Sequence, residues 1–218
     1  GYLKFYKNDV IKGMEIGWPS ETRVNVDWLT PEEAVMMLRA AKGVERIIIH
    51  LELRLWLRRI EVQRLTQADI KNNVLDVHGK GRYGGKWRTL AWAPETYGEI
   101  MAYEELRESM IEAARARNPM VSVPEEWVIY RKGDRLGAYG HTAIDNIVQM
   151  VATRAGIDRK IGNHTLRRTG CRLAYEADMS IELIREAMGH KDIKTTYRYM
   201  GITVDELGRA QEKVSDYL

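Results

Sequence analysis

The chain has 218 residues, of which 44% are apolar, which excludes wholesale disorder and allows one largish domain or two small ones. Its one cysteine, Cys171, excludes a disulfide scaffold and a cysteine-cluster zinc site. The run Ile47-Ile48-Ile49, cut by His50 and Glu52, is too short to span a membrane. Thirty-four basic side chains face 31 acidic ones for a net charge of +3, and 22 of the 34 are arginine, whose planar fork suits phosphate. With no signal peptide and a first residue that is Gly, the expectation is a soluble cytoplasmic protein cut or processed from a longer chain.

Residues 1–28 show no sustained period and read as a linker or arm. Thr30-Pro31-Glu32-Glu33 is a helix start, with Thr30 as cap, Pro31 at the first helical position and Glu33 completing a capping box. Gly43 ends that helix. From Val44 to Leu65 the apolar positions Ile48, Leu51, Leu55, Ile60, Val62 and Leu65 recur at helical spacing, among Arg54, Arg58, Arg59 and Arg64. After turns at Asp69 and Asn72-Asn73, residues 74–78 and 87–92 read as paired strands joined by a glycine-laden hairpin, Gly79 to Gly85. Pro94 opens a long helix to about Arg117. Residues 127–130 are extended, and Lys132-Gly133-Asp134 is a turn. Helices follow at about 141–155, 164–177, 180–188 and 204–217, with Gly156, Gly189 and Gly201 as stops. The fold class is mostly α with a small antiparallel β-sheet, α+β.

Four features can carry chemistry. His164 and Arg167 lie three apart and share a helix face, which suits a phosphate or a plain basic surface. Gly189 fits a helix C-cap and puts His190 just past the helix end. Tyr197 and Tyr199 follow, each able to act as an activated nucleophile or simply to pack. Lys80, between glycines on the hairpin, can dip into a DNA groove or remain solvated. Arg58, three residues before Glu61 on an apolar helix, needs a partner, either Glu61 or a bound anion.

In order and spacing these features resemble the tyrosine recombinase (lambda-integrase type) family. The pattern is Arg-x-x-Glu, Gly-Lys-Gly in a hairpin, His-x-Leu-Arg, then Gly-His190-Lys-Asp-Ile-Lys-Thr-Thr-x-x-Tyr199. The resemblance covers residues 29–200 nearly throughout, including Leu29-Thr30-Pro31-Glu32-Glu33 and the run from Glu61 through Leu65 to Asp69-Ile70. Two departures stand out. The family's Thr-Gly-Leu before the first arginine is Leu55-Trp56-Leu57 here, which leaves Arg54 and Arg59 as alternatives to Arg58. Arg168 stands where histidine is common.

The resemblance implies a tyrosine recombinase catalytic-domain fold over residues 29–202. Residues 1–28 would then be an arm from a missing N-terminal DNA-binding domain, and 203–218 a tail helix docking in trans or in cis. It implies a site-specific recombinase or integrase that breaks and rejoins DNA through a 3′-phosphotyrosine, without metal, ATP or other cofactor. Viral or plasmid genome integration is among its uses. Arg58 and Arg167 would clamp the scissile phosphate, Lys80 would protonate the 5′-oxygen, His164 would assist proton transfer, His190 would bond a non-bridging oxygen, and Tyr199, rather than Tyr197, would attack. The implied partner is double-stranded DNA with a specific attachment site, bound by a homo-oligomer (a tetramer) with no membrane involved. Rival readings are a type IB topoisomerase-like or telomere-resolving enzyme, and a catalytically inactive DNA-binding regulator.

Overall fold

Thr30 begins the first helix as its residue type dictates. Its hydroxyl accepts from the Glu33 amide at 3.2 Å, and the Glu33 carboxylate accepts from the Thr30 amide at 2.9 Å, so two end donors are satisfied reciprocally. The computed structural model describes residues 27–71, 73–79 and 87–201. Helix α1 spans Pro31–Ala40 and α2 Val44–Leu53, with Gly43 between them at φ 50°. Every residue of α2 from Ile47 to Leu53 is buried, and α1, α4 (Pro94–Arg115), α5 (His141–Arg154) and α6 (Asn163–Glu176) pack around it. So complete a burial puts α2 at the centre of the core, with the polar side chains of His50 and Glu52 enclosed among its apolar ones.

The helix expected over 44–65 is two helices. After α2 the chain turns through Trp56 at φ 54° and resumes as α3, Arg59–Arg64. Strands β1 (Ile70–Lys71), β2 (Val74–His78) and β3 (Trp87–Ala91) form an antiparallel sheet in the order β1-β2-β3, with Leu75 opposite Leu90 and His78 opposite Trp87. The hairpin expected between β2 and β3 falls, from Lys80 onward, outside the described residues. Helix α4 is locked to the next segment by Tyr103, whose hydroxyl donates to the Trp127 carbonyl at 3.0 Å and accepts from the Ile129 amide at 2.8 Å. A second hairpin follows, β4 (Ile129–Lys132) and β5 (Arg135–Ala138), turning at Gly133 with φ 66°.

Past α6, α7 spans Ile181–Met188 and α8 Ile193–Met200. Helix α8 was not among the expected helices; Asp192 caps it, accepting from the Lys194 amide at 2.9 Å. Trp56, Cys171, Ile184, Met188 and Met200 form a second, smaller core beneath α6, α7 and α8. Helix α6 meets the end of α2 closely at Gly170, where a Cβ would collide with the Leu53 carbonyl oxygen and the Trp56 indole. This contact sets the chain before Arg58 against the helix that carries Arg167. Residues 1–26 of the arm expected over 1–28, and the tail helix expected at 204–217, lie outside the described residues. The fold class stands as expected, mostly helical with small antiparallel sheets.

Candidate active site

Arg58 does not lie within a helix, as the apolar spacing suggests; it is the residue just before α3. Its extended backbone lets its amide donate to Glu61 Oε2 at 2.7 Å while its Nη1 donates to Glu61 Oε1 at 2.8 Å. Glu61 also receives two parallel bonds of 2.8 Å from Arg88 on β3, and Arg167 Nη1 stands 3.8 Å away. One buried carboxylate therefore organises three arginines. Burial alone pushes its pKa up, but the Arg88 hydrogen bonds and charge, with those of Arg58, overcome that and hold it at about 2.

The end of α7 supplies the second anchor. The Met188 carbonyl accepts from Arg58 Nη2 at 3.3 Å and from Arg167 Nη2, and Arg88 Nε donates to the Ala187 carbonyl at 2.9 Å. Helix C-terminal carbonyls lack intrahelical partners, so a row of guanidinium groups fits them. Arg167 is fully enclosed, and its Nε and Nη1 have no hydrogen-bond partner. Burial, and next the Arg58 charge, push its pKa below the usual range against the opposing pull of Glu61, although a guanidinium stays charged throughout the ordinary pH range.

Gly189, at φ 62°, ends α7 in the left-handed conformation that glycine adopts without penalty. The turn tucks His190 inward, with its amide donating to the Arg185 carbonyl at 3.0 Å and its Nδ1 3.0 Å from Thr196 Oγ1. Burial first, then the charges of Arg167, Arg58 and Arg88, lower its pKa to about 4, so the ring is neutral at neutral pH. The Tyr199 ring on α8 meets it edge-on, with centroids 4.9 Å apart. The Tyr199 hydroxyl lies 3.4 Å from His164 Nδ1, and the Arg168 guanidinium stands 5.3 Å from its ring centre. Burial and the neighbouring cations, Arg167 first, lower the His164 pKa as well. Arg172 steadies the end of α8 by donating to the Met200 carbonyl at 3.0 Å.

Five of the six expected residues thus come together: Arg58, His164, Arg167, His190 and Tyr199. Lys80 lies outside the described residues, but its neighbour Gly79 lines the same cleft of about 1450 Å³ as Arg58, Arg88 and His190. Of the alternatives to Arg58, Arg59 pairs with Asp145 instead, and Arg54 lines the cleft apart from Glu61. Tyr197 is 41% exposed and makes no hydrogen bond or ring contact with the cluster among the described residues. Arg88 escaped the sequence reading; the signal was its alternation with Leu90, which places an arginine on the buried face of a strand. Thr196, the partner of His190, escaped because the helix that presents it did.

Among the described residues no group of three or more His, Cys, Asp or Glu side chains could hold a metal ion, and no helix is long and apolar enough to cross a membrane.

Comparison with known proteins shows the family and the fold. The profile of the phage integrase family matches residues 27–205. The tyrosine recombinase XerA of Thermococcus kodakarensis is 26% identical over 193 residues, covering 85% of this chain and 61% of that protein. XerD of Corynebacterium glutamicum is 28% identical over 134 residues, covering 62% of this chain and 40% of its own length. The chain therefore spans less than two thirds of the length of these relatives. Among solved structures, the XerA recombinase superposes with a TM-score of 0.69 at 20% identity, covering 85% of this chain and 64% of that one. The catalytic domain of bacteriophage HP1 integrase gives 0.53 at 19% identity, covering 86% and 94%. The family match spans both arginines, both histidines and Tyr199, and the chain belongs to the phage integrase family, the tyrosine recombinases.

Proposed function

We propose that the protein is a site-specific recombinase that breaks and rejoins DNA strands with Tyr199 as nucleophile. The observation that carries this reading is the Tyr199 hydroxyl 3.4 Å from His164 Nδ1, its ring against His190, beside the Arg58 and Arg167 cluster. A phenol is mostly protonated at neutral pH and attacks only with help from a base. His164, kept neutral by burial and by the adjacent cations, has a ring nitrogen free to take that proton.

In the step proposed, the Tyr199 oxygen bonds to phosphorus and the bond from phosphorus to the 5′-oxygen breaks. The phenolic proton passes to the His164 side, and Lys80 protonates the departing 5′-oxygen. Charge that grows on the non-bridging oxygens is met by Arg58, Arg167 and His190, as in an oxyanion hole. Exposure orders the two arginines: the Arg58 side chain is 27% exposed and the Arg167 side chain 1%, so a phosphate in the cleft meets Arg58 first. One phosphoester replaces another, so a 5′-hydroxyl end reverses the step without an outside energy source.

The partner proposed is duplex DNA carrying an attachment site, held by a tetramer. Two structural neighbours bear on this: a XerH recombinase solved bound to its difH substrate, and a lambda integrase tetramer solved on a Holliday junction. The division into an arm (1–28), a catalytic domain (29–202) and a tail that docks on a second copy belongs to the same proposal.

The test is incubation with a nicked suicide DNA substrate carrying a candidate site. A covalent protein–DNA adduct lost in Tyr199→Phe and kept in Tyr197→Phe is the expected result. Loss only in Tyr197→Phe moves the nucleophile, and no adduct with any candidate site favours a DNA-binding regulator.

A further inference from the structure

The antiparallel register of β2 and β3 sets His78 directly opposite Trp87, the pair nearest the β2–β3 connection among the described residues. Their rings stack with centroids 4.6 Å apart and planes 21° from parallel. Trp87 is nonetheless 62% exposed, the most exposed aromatic side chain described, and it lines the cleft that holds Arg58, Arg88 and His190. Lys191, Arg54 and Arg185 add further positive charge to that cleft, against Glu186 as its acid. Aromatic side chains are ordinarily among the most buried, because their area dominates core energetics. A large flat ring is thus backed by a second ring, largely exposed, and set in a cleft lined with cations. Nucleic-acid strands are gripped by that combination, through a π-face for a base and positive charge for its phosphate.

An intact duplex does not offer such a face, since its bases are stacked on one another. A break does. If Tyr199 cleaves a strand, the released 5′-hydroxyl end has one base with a neighbour missing, and that end must leave its complement before it can join another duplex.

We propose that Trp87, backed by His78, is a stacking shelf for an unpaired deoxynucleotide beside the strand break. The proposal rests on the strand-transfer reading and adds where the released end goes. The β-strand pairing fixes the shelf, and the base is taken by stacking rather than by its hydrogen-bonding edge. All four bases are therefore accepted, with purines favoured for their larger area.

The experiment uses the full chain and two probes: a fully paired duplex, and the same duplex nicked, with 2-aminopurine unpaired at the 5′-hydroxyl side of the nick. The expected result is quenching of the 2-aminopurine on binding and about tenfold tighter binding of the unpaired probe than of the paired one. Trp87→Ala abolishes the quenching and the preference, whereas Trp87→Phe, which keeps a ring, restores both in part. Equal affinity for the two probes, or a preference that persists in Trp87→Ala, overturns the shelf. Adduct formation by the unaltered chain is scored separately on the suicide substrate. An adduct without a binding preference leaves the recombinase reading standing and removes the shelf; a preference without an adduct leaves Trp87 as a base-stacking surface but overturns strand transfer, and with it the shelf's place beside a break.

Discussion

Glu61 and Arg88, 27 residues apart on a helix and a strand, face each other through two parallel hydrogen bonds of 2.8 Å each. Bidentate pairing of this kind fixes a guanidinium in plane as well as in place. The same carboxylate holds Arg58 by backbone and side chain, and the same three arginines grip the carbonyl ends of α7 at Ala187 and Met188. The first helices, the sheet and the last helices thus meet at one acid. Without Glu61, three buried or half-buried cations would repel one another beneath the candidate phosphate site.

Acid should therefore undo the protein partly through Glu61. Its folded pKa of about 2 lies below the ordinary 4.5, so its contribution is complete above about pH 4.5 and lost as pH falls through about 2. The difference amounts to about 3 kcal/mol. In denaturant unfolding at a series of pH values, Glu61→Gln should be less stable than the parent at pH 7, and the gap should close between pH 4.5 and 2. A gap constant across that range would show that the carboxylate is not the hub of this cluster.

His190 gives a second pH signature. Its pKa, lowered to about 4 by burial and the adjacent arginines, keeps the ring uncharged through the range in which a free histidine titrates. An NMR titration should place its midpoint near 4, and a midpoint near 6.5 would refute this account of the pocket. An unfolded chain takes up the proton from 6.5 downward, so His190 costs stability progressively from pH 6.5 to 4. Thr196→Val, which removes the Nδ1 partner at nearly constant volume, should slow adduct formation about tenfold while leaving the helix content unchanged.

Local signals made much of this legible. Thr30 with Glu33, Pro94 and Gly189 act through their immediate neighbours, so reading them needs no tertiary information. The His164, Arg167, His190 and Tyr199 cluster was legible through order and spacing. The break between α2 and α3 was hidden because apolar periodicity runs straight through it. Only the left-handed backbone of Trp56 shows the turn, and tryptophan gives no hint of that conformation. Helix α8 was hidden by its Thr195-Thr196-Tyr197 run, which has poor helix propensity, and it stands on tertiary packing and the Asp192 cap. Glu61 was read as a partner for Arg58 alone, because its second partner, Arg88, comes from a strand 27 residues away.

Trp56 holds a φ of 54°, which is unfavourable for a bulky side chain, and packs its indole on Gly170 within the smaller core. Two opposing effects can be separated by a pair of variants. Trp56→Ala removes the ring and keeps the unfavourable backbone; Trp56→Gly removes the ring and accepts the backbone. Both should be less stable than the parent by about 3–5 kcal/mol from the lost ring, with Trp56→Gly the better of the two by about 1 kcal/mol. Equal melting temperatures for the two variants would mean that the turn relaxes when the indole is gone. Because the smaller core carries Met188 and Met200, both variants should also slow adduct formation.

Glu52 lies at the opposite extreme from Glu61. It is fully enclosed on α2, and neither carboxylate oxygen has a hydrogen-bond partner. Burial is the main cause that pushes its pKa well above the ordinary 4.5; Asp145 adds to the rise, while Arg59 and Arg167 oppose it. The folded chain therefore keeps a proton that the unfolded chain gives up, so this residue subtracts stability increasingly as pH rises above 4.5. Replacing it with a residue of similar size and no polar atoms should remove that penalty. Glu52→Leu is expected to stabilise the protein by about 1–3 kcal/mol at pH 7, and to flatten the decline in stability from pH 5 to 8. Glu52→Gln should flatten the pH dependence but recover less stability, because its amide remains buried without partners. The measurement is chemical denaturation of the three proteins at each pH. If Glu52→Leu proves less stable than the parent, the carboxyl supports Arg167 across the α2–α6 contact, and its burial is a structural asset rather than a cost.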